Sequence, residues 1–240
     1  NGRILGVRTR RPDGTTEEIG CDALILATNG FGGNKEMVAK YIPEIVAAHY
    51  HGHPGNQGDA MIWGEALGAS IKDMGSFQGH GAVCTPHMTH LGWPVFTEGG
   101  FQVNRAGRRF SNENAGYSEQ ALNVVRQPDH VAWAIWDERC EKIAIQMHSH
   151  GVAQEGGAIK AYDSPDAMAK AIGCDPATLA RSVADVAAAA RGEKKDEFGR
   201  DFTTKPPLRP PYLMSKIVGA LFHTQGGLEV NKEARVLRTD

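Results

Sequence analysis

Residues 21–43 constrain the fold more than any other part of the chain, because an apolar run, a glycine-rich turn and an amphipathic segment follow one another there. The run CDALILAT is short and continuous, which is typical of a strand buried on both faces. The turn NGFGGN ends the run, and KEMVAKYIPEI then predicts a short helix whose end is marked by Pro43. A buried strand, a glycine-rich turn and a helix in this order are the layout of α/β nucleotide-binding domains.

Segments on either side of this unit extend the mixed pattern of strands and helices. Residues 3–9 alternate between apolar and polar, RPDGT predicts a turn, and residues 15–19 complete a β-hairpin. A second glycine-rich loop ends at Gly58-Asp59. A helix over about residues 60–67 follows it, with Gly68 as its C-cap.

The rest of the chain predicts further alternation of strands, loops and helices. Residues 76–104 are rich in His, Thr, Trp and Gly and predict loops and short strands. FQVNRAGRRF predicts a strand, a turn and the start of another strand, while SNENAGYSEQALNVVRQ predicts a helix and HVAWAIWDERC a strand. Pro165 and Pro176 open two more helices, which end at Gly173 and Gly192. KKDEFGRDFTTKPPLRPPY predicts an ordered loop stiffened by proline.

Composition excludes several classes of function. A chain of 240 residues with 41% hydrophobic content can form one large domain or two small ones with a real core. The formal net charge of -2 argues against a nucleic-acid partner, and no apolar run approaches the roughly 20 residues that span a membrane. The cysteines are too widely spaced for a zinc site or a disulfide framework, so we expect no metal and a reducing, cytoplasmic location. They are Cys21, Cys84, Cys140 and Cys174.

Several stretches of the chain, taken together and in order, resemble the flavoprotein family of fumarate reductases and succinate dehydrogenases. They are LILATNGFGGNKEMVAKYIP, GNQGDAMIWGEALGA, FQGHGA, TEGGFQVNRAGRRFSNE, EFGRDF with KPPLRPPY, and HTQGGLEVNKEARVL. The soluble single-chain branch of that family, which includes 3-ketosteroid dehydrogenases and tricarballylate dehydrogenase, is similar too. The stretches cover most of the chain, so the resemblance does not rest on one motif.

The resemblance implies FAD as the cofactor and an α+β fold, made of part of an α/β FAD-binding domain plus an inserted α+β capping domain. The expected division is residues 1–76 for the FAD-binding part, 77–222 for the capping (substrate) domain and 223–240 for the return to the FAD-binding domain. The family's N-terminal GxGxxG and its C-terminal flavin segment are absent from this sequence. We therefore expect an internal segment of a longer protein, which alone holds FAD weakly or not at all.

The resemblance also implies the chemistry. In the family, a hydride moves between the flavin and a C–C bond beside a carbonyl or carboxylate, while a proton moves at the adjacent carbon. The implied substrate is a small dicarboxylate, enoate or enone, and the sequence does not identify the electron donor or acceptor. His80 in FQGHGA and His223 in HTQGG match substrate-holding histidines, and both are catalytic candidates. Thr97 and Glu98 in FTEGG match a pair that lines the substrate site.

The chain departs from the family at the residue that donates the proton. Fumarate reductases carry an arginine four residues beyond the Glu of the NE pair; here that Glu is Glu113 and the residue is Tyr117. A tyrosine hydroxyl can donate to a substrate oxygen or deliver a proton, and tyrosines do this in the ketosteroid dehydrogenase branch. Tyr117 therefore favours a neutral or bulkier enone or enoate over a small dicarboxylate. Arg108 and Arg109, in the GRRF turn, are expected to be structural.

A further set of residues is implied to approach the flavin nucleotide. ATNGFGGN matches the family's ATGG segment with Asn29 in place of the first glycine, and Gly58-Asp59-Ala60 matches its GDG. The glycines of HTQGG let the backbone approach the flavin or turn tightly. The cofactor-binding candidates are Ala27, Thr28, Asn29, Gly30, Gly58, Asp59, Gly226 and Gly227.

A purely structural explanation exists for each site candidate. The histidines can be loop residues satisfied by the backbone, Glu98 a surface charge before a glycine turn, and Tyr117 a half-buried ring at a helix start. Two other functions stay open: a 3-ketosteroid dehydrogenase-like enone oxidoreductase, and a non-catalytic binding module with the capping fold. A zinc hydrolase is disfavoured because no HExxH or similar spacing occurs.

Overall fold

Helices and mostly antiparallel strands alternate along residues 4–240, the part of the chain that this computed structural model describes, and the mixture confirms the α+β class. In chain order the strands are β1 (Gly6–Arg10), β2 (Thr16–Gly20), β3 (His49–Tyr50), β4 (Ile71–Lys72), β5 (Phe77–Cys84), β6 (Thr89–His90), β7 (Phe101–Val103), β8 (Val131–Asp137), β9 (Lys160–Tyr162), β10 (Tyr212–Thr224) and β11 (Gly227–Leu228). The α-helices are α1 (Lys35–Tyr41), α2 (Asp59–Ala66), α3 (Pro94–Thr97), α4 (Tyr117–Val125), α5 (Glu138–Ala144), α6 (His148–Glu155), α7 (Pro165–Ile172) and α8 (Pro176–Ala190). Short 3₁₀ turns lie at Pro43–Ile45, Glu113–Ala115 and Pro128–His130.

Local sequence signals place several elements where the sequence predicts them. β1 and β2 pair antiparallel as a hairpin. The Asn34 side chain caps α1 by accepting a hydrogen bond from the Met37 amide at 3.1 Å. Ser164 and Asp175 cap α7 and α8 in the same way, each directly before the proline that opens the helix. These caps satisfy amides that have no partner within the helix, so the predicted helix starts are confirmed.

The long strand β10 organises the main sheet. Its first half pairs antiparallel with β8 and β9, its second half pairs antiparallel with β5, and it pairs parallel with β3 near its end. The strand order is β6-β5-β10-β8-β7, with β3 and β9 also paired to β10. A separate pair, β11 with β4, follows the turn after β10. β10 therefore lies at the centre of the main sheet and leads directly into the C-terminal segment.

Alternate residues of β8 enter two cores on opposite faces of the sheet. Trp136 packs with α5 and α6 on one face, and Ile135 packs with α7 and α8 on the other. A third core joins Phe31 and Met61 of the N-terminal part to Leu221 of β10. All of these side chains are almost fully buried. Within the described residues, no helix is long and apolar enough to span a bilayer.

Two predicted strands do not form among residues 4–240. CDALILAT is irregular, and Ile25 within it is 89% exposed. A continuous apolar run becomes a buried strand only where neighbouring strands pair with both edges, and the described residues supply no such neighbour. The second strand expected in FQVNRAGRRF is also absent, and Arg109 there enters ion pairs with Glu113 and Asp196. Conversely, residues 76–104 contain more regular structure than expected, since β5 is eight residues long.

Candidate functional site

The start of β5 and the end of β10 bring predicted site residues to one place. His223 is paired across the strands with Gln78, which lies two residues before His80 on the same face of β5. The pairing is irregular between Leu221 and His223, and such irregularities bend a strand and redirect its side chains. Phe222 occupies this position and stacks on His80, with ring centroids 5.2 Å apart and planes 8° apart.

A directional chain of hydrogen bonds joins His223 to Tyr117. His223 Nε2 donates to Gln78 Oε1 at 2.7 Å, because a carbonyl oxygen can only accept. Gln78 Nε2 then donates to the Tyr117 hydroxyl oxygen at 3.3 Å. The hydrogen of the Tyr117 hydroxyl is therefore free for a ligand. Tyr117 is the first residue of α4 and is 41% exposed, so a ligand can reach it. We call these three residues the donor chain.

His80 lies against Tyr117 in a group of rings. It stacks on Tyr117 with centroids 5.8 Å apart and meets the edges of Trp93 and His90 at 5.4 Å and 5.3 Å. The imidazole is 7% exposed, and burial, reinforced by the neighbouring histidines, lowers its pKa from 6.5 to about 3. The Ala82 amide donates to Nδ1 at 3.2 Å, so the proton of the neutral ring is on Nε2. His80 is thus a neutral hydrogen-bond donor near pH 7.

Two further histidines belong to this ring group. The ring centroids of His51 and His90 lie 6.1 Å apart, and those of both rings lie within 5.5 Å of the Phe222 ring centroid. Burial lowers the pKa of each imidazole. In the described part of the chain, no three His, Cys, Asp or Glu side chains are arranged to hold a metal ion. The ring group comprises His51, His80, His90, Trp93 and Phe222. Two of its members, His80 and Trp93, contact the Tyr117 ring, so aromatic surface and a neutral imidazole lie beside Tyr117.

Glu98 is held in a separate group of charges. Lys205 Nζ lies 2.8 Å from both of its carboxylate oxygens, and Arg139 Nη1 lies 3.4 Å from one of them. Thr97, the last residue of α3, is exposed. Among the described contacts, neither side chain bonds to the donor chain or to His80. The roles expected of Thr97 and Glu98 therefore stay predictions, while His80, Tyr117 and His223 lie together.

A buried carboxylate fixes the segment just before Tyr117. Glu113 Oε2 lies 2.8 Å from both Arg109 Nη2 and Arg200 Nη1, and Arg109 also pairs with Asp196. Burial alone would raise the pKa of Glu113, but attraction from Arg109 and Arg200 outweighs it and holds that pKa below its ordinary value. These four residues, the Glu113 network, give Arg109 the structural role that the sequence predicts.

Thr224 joins the donor chain to the glycine-rich turn that follows CDALILAT. Its hydroxyl accepts a hydrogen bond from the Phe31 amide at 3.0 Å. A Cβ on Gly30 would lie 2.0 Å from the same hydroxyl oxygen, so a side chain at position 30 would force the two segments apart. Because Thr224 directly follows His223, the predicted cofactor segment lies beside the predicted substrate residues.

The residues before Gly30 have features suited to a bound nucleotide. The Thr28 hydroxyl is buried and has no hydrogen-bond partner, a condition that costs about 1–3 kcal/mol unless a ligand supplies one. Asn29 adopts a left-handed φ of 61°, which asparagine tolerates better than most residues, and its Oδ1 accepts from the Gly30 amide at 2.9 Å. Ala27 is exposed.

The remaining cofactor candidates fall into two pairs. Gly58 begins α2 with a φ of 85° and no side chain caps the helix, so the amides from Asp59 onward are open to an acidic group. A Cβ on Gly226 would lie 2.3 Å from the Asp73 carbonyl oxygen, so close contact with the backbone, without any cofactor, already requires glycine at this position. A Cβ on Gly227 would meet nothing closer than 3.8 Å.

Sequence reasoning overlooked Gln78, Phe222 and Trp93 as parts of this site. Gln78 could have been found, because the period of two in FQGHGA places it on the same face as His80. Phe222 could not, since its direction depends on the irregular pairing of β10. Trp93 follows Gly92, whose amide donates to the buried His150 Nδ1 at 3.1 Å, and this long-range contact has no local signal.

Comparisons with known proteins indicate the family. A family model described as an FAD binding domain matches residues 1–240. A curated protein of Shewanella frigidimarina (strain NCIMB 400), named as a probable fumarate reductase, is 29% identical over 219 residues, which are 91% of this chain and 37% of that protein.

Solved structures resemble the chain over nearly its whole length. The open conformation of a flavocytochrome c3 fumarate reductase has a TM-score of 0.81 and 28% identity, covering 100% of this chain and 42% of that one. A 3-ketosteroid delta1-dehydrogenase from Sterolibacterium denitrificans, solved with 1,4-androstadiene-3,17-dione, has a TM-score of 0.71 and 25% identity, covering 99% and 48%. The chain thus spans less than half the length of each of these proteins.

Proposed function

This chain belongs to the FAD binding domain family, and on that premise we propose that it forms the substrate-binding part of an FAD-dependent oxidoreductase. The proposed reaction moves a hydride between the flavin and a C–C bond beside a carbonyl or carboxylate. One observation carries the proposal: the donor chain is adjacent to Thr224, whose hydroxyl contacts the glycine-rich turn. Groups suited to a substrate carbonyl and groups suited to a nucleotide therefore meet at one strand end.

The proposed division into domains follows the same strand end. Residues 1–76 and 223–240 would belong to the FAD-binding side, and residues 77–222 would form the capping domain. In support, β5 begins at Phe77 and β10 ends at Thr224, and these two residues are paired. The chain would then leave and re-enter the FAD-binding side through adjacent strands.

The residues before and after the glycine-rich turn would hold the cofactor. FAD is the cofactor of the family, and when bound it supplies or accepts the hydride. The unpartnered Thr28 hydroxyl and the uncapped amides at the start of α2 would bind its polar groups. Asn29 and Gly30 would let the backbone approach it closely.

Tyr117 would transfer the proton in this proposal. In the reducing direction its hydroxyl gives a proton to the carbon next to the one that receives the hydride, and in the oxidising direction the phenolate oxygen takes that proton back. The Gln78 amide donates to this oxygen and would stabilise the negative charge that develops there. The His80 Nε2–H would polarise the substrate carbonyl by a hydrogen bond, which draws electrons toward the oxygen.

An enoate or enone fits these residues better than a small dicarboxylate. Two carboxylates are usually bound by arginine or lysine. Among the described residues, neither the donor chain nor the ring group contains either. The aromatic surface around His80 favours a second candidate within the proposal, a 3-ketosteroid-like enone. Oxidation or reduction of such a bond requires an electron partner for the flavin.

Substitution of Tyr117 tests the proposal in the protein expressed from its complete gene. The protein is assayed with reduced dye against fumarate and a 3-ketosteroid enone, and with oxidised dye against the saturated compounds. Tyr117→Phe should lower kcat for the accepted substrate about 10²–10⁴-fold, the usual contribution of a positioned acid or base. Tyr162→Phe, on β9, should leave it within about twofold.

Each outcome discriminates between functions. A full rate in Tyr117→Phe removes Tyr117 from the mechanism, while absence of flavin from the purified protein removes the oxidoreductase. Binding of substrate to flavin-loaded protein without change in the flavin spectrum indicates the non-catalytic module.

The cytoplasmic location belongs to the proposal as well, supported by four cysteines that are all free.

A further inference from the structure

A cleft of about 570 Å³ lies on the sheet face that packs against α7 and α8. Its apolar lining includes Trp133 and Met214 of the sheet and Ile172 at the end of α7. Its volume is within the range of roughly 300–1,000 Å³ that is usual for small-molecule sites. No lining residue belongs to the donor chain, the ring group or the glycine-rich turn, so the cleft is separate from the candidate functional site.

The lining of the cleft is positively charged. Arg105, Lys160 and Lys216 line it with one acidic residue, Asp129, which pairs with Arg105. Within residues 4–240, neither lysine has a carboxylate partner. Lys216 Nζ lies 5.8 Å from the centre of the Trp133 ring. Two uncompensated lysines thus share one recess in a chain whose formal net charge is -2.

Strand register places the lysines on the same side. Lys160 of β9 is paired with Met214 of β10, and Lys216 follows Met214 by two residues, so all three side chains leave the same face of the sheet. The lysines therefore converge on the cleft through the most regular part of the fold. A site built on strands holds its charges in fixed positions.

The turn that carries Asp129, a lining residue of the cleft, has a less common backbone. Asp129 and His130 are consecutive residues with left-handed φ values of 58° and 56°, a region that few residues with a Cβ adopt but that Asp and His adopt more often than most. This turn presents the Asp129 carboxylate to Arg105.

We propose that this cleft binds a small polyanion through Lys160 and Lys216, with Arg105 as a third cationic contact. Its acidic groups are phosphates or carboxylates, which the compact lysine ammonium groups bind equally as point charges. The charges lie within a recess rather than on a flat surface, which fits a small molecule. The proposal does not depend on the redox function.

Calorimetric titration of the protein expressed from its complete gene tests the site. Sodium pyrophosphate and citrate serve as separate probes, so that they distinguish phosphate from carboxylate ligands. Saturable binding of at least one probe is expected. The double variant Lys160→Gln/Lys216→Gln should bind it at least tenfold more weakly, and Arg105→Gln at least threefold. Lys232→Gln, whose side chain is 90% exposed elsewhere, should stay within twofold.

Thermal melting of each variant separates loss of the site from loss of the fold, and exposed lysines are chosen so that the fold persists. Binding that survives in the double variant would place the anion elsewhere, for instance at the cofactor segment, and would overturn the proposal. So would failure of both probes to bind, or equal weakening by Lys232→Gln.

Discussion

The Glu113 network and the donor chain are neighbours along the chain, yet their polar groups are used in opposite ways. The paired side chains of the Glu113 network are at most 6% exposed, and every charge there has a partner. Tyr117, four residues after Glu113, is 41% exposed and keeps its hydroxyl hydrogen free. The Glu113 network holds the start of α4 in place, whereas the donor chain keeps a group that is able to bind a ligand.

The difference shows that chemical capability alone does not identify a site residue. Arginine and glutamate carry full charges and form stronger ionic contacts than glutamine and tyrosine, but here they neutralise one another. A residue is available for function when its partners leave a donor or acceptor unused. Changes that remove a partner should therefore affect stability in the first region and binding or rate in the second.

Removal of the buried carboxylate should have the largest effect on stability. Glu113→Ala leaves Arg200 buried without a carboxylate partner and Arg109 with Asp196 alone, so the free energy of unfolding should fall by about 3–5 kcal/mol in a denaturant titration. Glu18→Ala is the matched control, because its pair with Arg8 is exposed, and it should cost no more than about 1 kcal/mol. Similar losses in both variants would contradict a structural role for the network.

Interruption of the donor chain should affect the rate instead. Gln78→Leu removes both of its hydrogen bonds, so kcat should fall about 10–100-fold while KM changes less than about threefold. The unfolding free energy should change by about 1 kcal/mol or less, since both hydrogen bonds of Gln78 lie in a part of the site that solvent reaches. Gln146→Leu, on an exposed helix end, is the control. A raised KM at unchanged kcat would make Gln78 a substrate-binding residue instead.

His80 should make stability depend on pH. Its pKa is about 3 in the folded protein against 6.5 in the unfolded chain, so between these values the unfolded chain binds the extra proton. Stability is complete above pH 6.5 and falls as the pH drops toward 3, by up to about 1.4 kcal/mol per pH unit from this residue. His80→Gln should flatten the profile measured by urea unfolding, and His148→Gln, an exposed site, should not. Parallel profiles for the wild type and His80→Gln would contradict this contribution of His80 to the pH dependence of stability.

The smallest effect is expected where a polar group lacks a partner. Thr28→Val removes a buried, unpaired hydroxyl, so the unfolding free energy of the cofactor-free protein should rise by about 1 kcal/mol. FAD affinity, measured by flavin fluorescence, should fall. Thr28→Ser keeps the hydroxyl and should keep the affinity. Unchanged FAD affinity in Thr28→Val would remove Thr28 from the cofactor site.

Local features of the fold were predictable, and features that depend on distant partners were not. Asn34, Ser164 and Asp175 mark helix starts because each bonds to an amide within three residues of itself. The run CDALILAT was wrongly predicted as a strand because its pairing depends on other strands, not on its own residues. Periodicity identifies which residues suit burial, but not whether a partner is present.

The candidate site shows the same limit. His80, Tyr117 and His223 could be named from motifs, whereas the amide that connects two of them could not. Gln78 and His223 are separated by 145 positions, and no local pattern predicts that they meet. Nor does the sequence reveal that burial keeps His80 uncharged, because this depends on the rings of four other residues.

The central position of β10 also has a consequence for folding during synthesis on the ribosome. Its residues bond to partners 145 and 193 positions earlier, so these contacts cannot form until β10 itself has been made. Until residue 224 has left the ribosome, β5 and β8 lack the strand between them and expose unpaired edges. Closure of such long loops is slow. The nascent chain is therefore most prone to aggregate in the interval after β8 has emerged and before β10 has.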